Sequence, residues 1–131
     1  MNMTEIFGEP ISIYTRRQAI EDGVLVDLMQ PETLPLVREA GFKFPVAMTS
    51  GAWKAAIGPI GGKPPDGQDL KGRLWDVLWM LKIAIRAIRP LATTRIDFQV
   101  RVSGRLVPLY SVCGPGDDAE PVITIMLPGE D

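Results

Sequence analysis

The 131-residue sequence predicts a single-domain α+β protein: short N-terminal helices, one long central core helix, and a C-terminal three-stranded antiparallel meander. Three observations carry that expectation. Helix caps and glycine stops recur through the first half of the chain. The run RLWDVLWMLKIAIRAIRP, Arg73 to Pro90, holds the longest helical pattern. After it, RIDFQVRVS alternates apolar and polar residues with a period of two, the mark of a half-buried strand. Helical segments followed by consecutive strands are the pattern of an α+β domain.

Taken in order, Thr15 caps a first short helix, and Gln18, three residues on, completes a capping box. Gly23 stops that helix, and Val24, Leu25 and Val26 follow as a short strand or extended segment. Pro31 and Glu32 open a second helix through TLPLVREAG, with Gly41 at the residue just past its end. FKFPVAMTSGAWKAAI supplies an extended lead-in, a cap at Thr49 or Ser50, and a third short helix. Residues 58–69, GPIGGKPPDGQD, read as an irregular connector, because GPIGGK lacks the ending and spacing of a phosphate-binding loop.

Asp69 then caps the long helix and Pro90 ends it. In the strand that follows, Ile96, Phe98, Val100 and Val102 share one face, and Arg95, Asp97, Gln99 and Arg101 the other. Ser103-Gly104 suits a tight hairpin turn. RLVPLYSVC is the return strand, with Pro108 marking an edge or a bulge. GPGDDAEP makes an acidic turn, and VITIMLP, apolar on both faces, is the more central strand.

The long helix is too interrupted for a membrane span, because Lys82 and Arg86 break its apolar run. At about 100° per residue, a narrow arc of about 80° collects Lys71, Trp75, Trp79, Lys82, Arg86 and Arg89. A wide arc of about 220° holds Leu74, Val77, Leu78, Met80, Leu81, Ile83, Ala84, Ile85, Ala87 and Ile88, and is expected to form the core. Arg73 falls inside the wide arc but near the helix start, where it is expected to reach water. Trp and Arg are the types enriched at binding hot spots, so Trp75, Trp79, Lys82, Arg86 and Arg89 are the candidate partner-binding residues. Tryptophans beside cations also suit base stacking with phosphate contacts. The plainer alternative is that loops cover the indoles while the Lys and Arg stems pack over them.

Elsewhere the chemistry is sparse. There is no histidine, which removes the usual neutral-pH base and the commonest metal ligand. The lone Cys113 makes neither an internal disulfide nor a thiolate zinc site, and as a nucleophile it would want a base. No catalytic constellation and no cofactor site is expected, and a reducing, cytoplasmic compartment is. The N-terminal MNMTEIFGEP carries acids and no apolar signal region. Asp117, Asp118 and Glu120 could offer oxygens to Mg²⁺ or Ca²⁺, but their spacing is not the calcium loop. A solvated turn with Gly114 and Gly116 explains them better. Arg16 and Arg17, at a helix N-terminus, form a weaker anion-site candidate, with Glu21 and Asp22 nearby to pair with them.

Net charge is −2 but uneven: residues 71–105 carry eight basic side chains against two acids, a net of +6. Such an imbalance permits an acidic partner, protein or nucleic acid, at one patch.

Three blocks, YTRRQAIEDGVLVD, AGFKFPVAMT and CGPGDDAEPVITIMLPGED, together resemble a family of small uncharacterised proteins carried by bacteriophages, plasmids and integrated elements of bacteria. The resemblance implies a setting and no chemistry: an accessory gene of a mobile element, of the kind that inhibits or redirects a host system, including host defence. The expected function is therefore a non-enzymatic accessory protein acting by contact with a host or phage protein. The alternative is a nucleic-acid-binding accessory protein using the basic segment 71–105.

Overall fold

The computed structural model describes residues 14–60, 69–88 and 94–130. Its elements run α1 (Arg16–Glu21), β1 (Leu25–Asp27), α2 (Leu34–Glu39), β2 (Val46–Thr49), α3 (Ser50–Ala56), α4 (Leu70–Ala87), β3 (Arg95–Val102), β4 (Arg105–Pro115) and β5 (Pro121–Met126). The three-stranded meander expected at the C-terminus is corrected to a five-stranded mixed sheet of order β1-β2-β5-β4-β3. β1 and β2 pair antiparallel, β2 and β5 parallel, and β5, β4 and β3 antiparallel.

The two extra strands come from the segments with the weakest period. β1 has three residues, and all four residues of β2 are buried. A strand covered on both faces shows no alternation, so VAMT reads as a lead-in to the helix it precedes. β5, by contrast, takes the central position its two apolar faces imply, between β2 and β4.

Register places the core. Val46 stands beside Ile123, Met48 beside Ile125, Leu109 beside Phe98, and Val107 beside Val100. These side chains belong to one buried cluster with Val37, Trp53, Leu74, Val77, Leu78 and Leu81 from the helices. Ser103 and Gly104 both take positive φ, 48° and 79°, as a two-residue hairpin turn of the primed type requires. Pro108 sits where β4 has β3 on one side only, since β5 begins pairing at Tyr110. The ladder runs unbroken past it, so the missing N–H interrupts nothing.

The long central core helix is corrected too. α4 spans 18 residues, ends at Ala87 short of Pro90, and leans on the sheet with one buried stripe: Arg73, Leu74, Val77, Leu78 and Leu81. Pro90 disfavours helical geometry before it and cannot donate to the carbonyl four residues back. Of the wide arc assigned to the core, Met80, Ile83 and Ile85 are exposed. One sheet face needs only a stripe of about 100° or somewhat more; Met80 and Ile83 lie outside it, and Ile85 is in line with it but beyond Leu81, near the end of the helix.

Arg73 departs from expectation in the opposite sense, being 6% exposed. Its Nη1 donates to the Ile57 carbonyl at 2.9 Å and its Nη2 to Ser103 Oγ at 2.9 Å. One guanidinium thus ties the end of α3, the start of α4 and the β3–β4 turn. Arg73→Met keeps the stem and removes the donors. Leaving the buried Ile57 carbonyl unpaired is expected to lower stability by about 1–3 kcal/mol in chemical unfolding. A loss near zero would show that water replaces the guanidinium.

Candidate functional site

The outward side of α4 begins with an aromatic pair. Trp75 and Trp79 are one helical turn apart, and their rings stack with centroids 5.7 Å apart and planes at 18°. Lys82, three residues further, holds its Nζ 5.3 Å from the Trp79 centroid. Such a cation–π contact contributes about 0.5–1 kcal/mol at an exposed site. Trp75 and Lys82 are half-buried, whereas Trp79 is 40% exposed and Arg86 is exposed. Met80, Ile83 and Ile85 are exposed on the same helix. The stretch that sequence alone left as either covered or open is therefore open at Trp79, and its apolar area extends beyond the two tryptophans. Arg89 lies outside the described residues.

A groove adjoins this helix face. α2 ends in a Schellman pair: the Gly41 N–H donates to the Arg38 carbonyl at 2.9 Å and the Phe42 N–H to the Val37 carbonyl at 3.2 Å. The motif turns Phe42 inward onto the core beside Val37 and leaves Phe44, just before Pro45, 43% exposed. Gly41 has φ +95°, and a Cβ there would come within 3.1 Å of Lys82 Nζ. Glycine is needed for the turn, and the lysine crosses close above it. The result is a concavity of about 530 Å³ walled by Phe42, Lys43 and Phe44 on one side and Lys82, Ile85 and Arg86 on the other.

Two other candidates turn out to be one structural unit. The Asp117 carboxylate accepts from the backbone N–H of Arg16 at 2.8 Å and of Arg17 at 3.0 Å. The N-terminus of α1, expected to offer an anion site, is thus filled by the chain's own acidic turn. These N–H bonds, Arg16's before Arg17's, hold the Asp117 carboxyl below the usual carboxylate range, outweighing its partial loss of hydration. The Arg16 side chain crosses to Thr124 Oγ1 at 2.7 Å and the Ile123 carbonyl at 3.0 Å. Burial draws its pKa down from the ordinary arginine value, and Asp27, Asp117 and Glu120 oppose that shift. Arginine stays charged under such conditions. Arg17 is exposed. Thr15 and Gln18 form both arms of the expected capping box.

Within the turn, the Asp118 N–H donates to Glu120 Oε2 at 2.9 Å. Among the described residues, no group of three His, Cys, Asp or Glu is placed to hold a metal ion. A cavity of about 680 Å³ opens beside this unit, floored by Val112, Val122 and Met126. The charged groups at its rim, Arg16 and Asp117, are already bonded to the chain. Cys113 is half-buried against the core.

The basic segment does not gather on one surface. Arg73 is buried, Arg95 lies 3.0 Å from Asp97 and covers the Tyr110 ring at 3.9 Å, and Arg101 shares Arg95's face of β3, away from the face α4 packs on. Sequence reasoning missed Lys43, Phe44, Met80, Ile83 and Ile85. Two signals pointed to them: an apolar arc wider than one packing face uses, and a second Phe in FKFP when one suffices to enter the core. Among the described residues, no helix is long and apolar enough to cross a membrane.

The Asp117 clamp has a pH signature. Because its folded pKa is depressed, its stabilisation is fully present above the unfolded value, about 3.9, and is lost as pH falls through the lower folded pKa. Carboxyl NMR titration should find Asp117 ionising below the ordinary range. Asp117→Asn should remove that part of the acid dependence and speed amide exchange at Arg16 and Arg17. An ordinary Asp117 titration would refute the clamp.

The model of a family of unknown function (DUF6573) matches residues 1–131, and the chain belongs to that family. No curated protein and no solved structure matches it.

Proposed function

We propose that this member of a family of unknown function is a non-enzymatic binding protein that engages a protein partner through the outward face of α4. We place it in the cytoplasm as an accessory protein of a mobile genetic element, restraining a host system such as defence. The mobile setting rests on the likeness of its three sequence blocks to proteins of phages and plasmids. The binding role rests on one observation: α4 is apolar on both sides. Its inner stripe is buried, Trp79, Met80 and Ile83 remain at the surface away from it, and Ile85 is exposed beside Phe44 near the end of the helix.

A surface helix normally confines its apolar residues to the packed stripe. Contiguous exposed apolar area marks an interaction site, and each Å² removed from water is worth about 25 cal/mol. Tryptophan and arginine, the residue types at Trp79 and Arg86, dominate binding energy at protein interfaces. Nucleic-acid binding through residues 71–105 is the weaker reading, because the positive charges are divided between the two faces of the sheet and one is buried. The absence of histidine and the single cysteine favour binding over catalysis.

Photo-crosslinking separates these readings. A benzoyl-phenylalanine at position 83 should capture a discrete protein partner in cell extract. The same probe at exposed position 99, on the far side of the sheet, should not. Trp79→Ala/Ile83→Asp should abolish the capture while the far-UV spectrum is retained. Equal capture from both positions, or capture indifferent to the double substitution, would remove α4 as the binding face.

A further inference from the structure

The geometry points to a specific chemistry for the partner: we infer that the groove between residues 40–44 and α4 receives an acidic peptide segment carrying an apolar or aromatic anchor. The anchor sits beside Phe44 and Ile85, and flanking carboxylates meet Lys43, Lys82 and Arg86. This rests on the interaction reading of α4 and adds the class of partner to it.

Charge is the first argument. The groove is lined by three cations and no carboxylate. Among the described residues, none of the three is paired with an acid: Lys82 contacts the Trp79 ring, and Lys43 and Arg86 are exposed. Other cations are engaged, Arg95 with Asp97 and Arg16 with Thr124 and Ile123. Three like charges around an apolar concavity concentrate anions there and reject basic partners.

Extent is the second. Lys82, which lines the groove, also contacts the exposed Trp79 one turn back along α4. From Trp79 to Arg86 the helix rises about 10 Å, and the concavity itself holds about 530 Å³. A peptide of alternating acidic and apolar residues covers both parts, its anchors reaching apolar surface while its carboxylates meet the rim.

The state of Trp79 is the third, and it weighs against single-stranded nucleic acid. Base stacking needs an open aromatic face. Trp75, four residues earlier, stacks on the indole, and the Lys82 ammonium, three residues later, stands over the ring. With an indole stacked on it and an ammonium beside it, Trp79 is a poorer platform for a base than for aliphatic packing.

The test uses the full-length protein and a fluorescein-labelled synthetic peptide in which Glu alternates with Leu around one Phe. Saturable binding by fluorescence anisotropy is expected. Affinity should fall about tenfold or more in Lys43→Glu/Arg86→Glu and in Phe44→Ala, with folding verified by amide NMR spectra. Arg101→Glu, on the other face of the sheet, should leave it unchanged, and a peptide with Lys in place of Glu should not bind. Peptide binding that ignores the groove substitutions would overturn the inference, as would tighter binding of oligothymidylate lost in the same charge reversals. If the acidic peptide fails to bind while crosslinking from position 83 still depends on Trp79 and Ile83, the acidic-segment inference falls and the α4 interaction reading stands.

Discussion

The parallel pairing of β2 with β5 is the constraint on which the rest of the structure depends. Val46, Ala47 and Met48 align with Ile123, Thr124 and Ile125, and the Ile123 N–H donates to the Pro45 carbonyl at 2.8 Å. This short ladder joins the helical first half of the chain to the C-terminal meander. Closing so long a loop costs entropy that grows only slowly with length, and the buried apolar residues along β2 and β5 offset it. Without this pairing β5 would be an edge strand, and α1 would have nothing to clasp. With it, Thr124 and the Ile123 carbonyl lie within reach of Arg16, and Asp117 sits over the first turn of α1. The C-terminal turn closes the same way: Glu130 Oε1 accepts from the Thr49 hydroxyl and the Leu127 N–H, and the Glu130 carbonyl accepts from the Tyr110 hydroxyl.

Several of the protein's conspicuous charges are consumed in this internal work. Arg73 is a buried tie between three segments, Arg16 a strap from α1 to β5, and Asp117 a cap for a helix that is not adjacent in sequence. The acidic turn that invites a metal is held by its own backbone bonds, and Gly116 is required there because a Cβ would overlap the Glu120 carboxylate and come within 2.9 Å of Val122. Once these groups are accounted for, Lys43, Lys82 and Arg86 stand out because they surround apolar surface and, among the described residues, none is paired with an acid. Function is therefore best sought on the α4 side of the molecule.

Local chemistry was the legible part of the fold. Thr15 with Gln18, Gly41, Thr49, Asp69 and the Ser103-Gly104 turn each act as their residue types dictate, because caps and tight turns are settled by contacts within a few residues. The candidate surface was half legible. Heptad-like angles on α4 located Trp75, Trp79, Lys82 and Arg86 on one side. They did not reveal Phe44 or Lys43, which reach that side from a different segment, nor the exposure of Met80, Ile83 and Ile85.

Sequence by itself determined the α+β composition, the caps at Thr15, Thr49 and Asp69, the hairpin and the inward face of β3, since these follow from periodicity, capping and glycine conformation. The second helix, by contrast, starts at Leu34 and not at Pro31–Glu32. Tertiary structure alone decided that the sheet has five strands, that one pairing is parallel, that Arg73 is buried, and that Asp117 meets Arg16. The reason is physical. Strand partnership and burial depend on which surfaces remain after distant segments have packed, and a three- or four-residue strand buried on both faces carries no period to announce it.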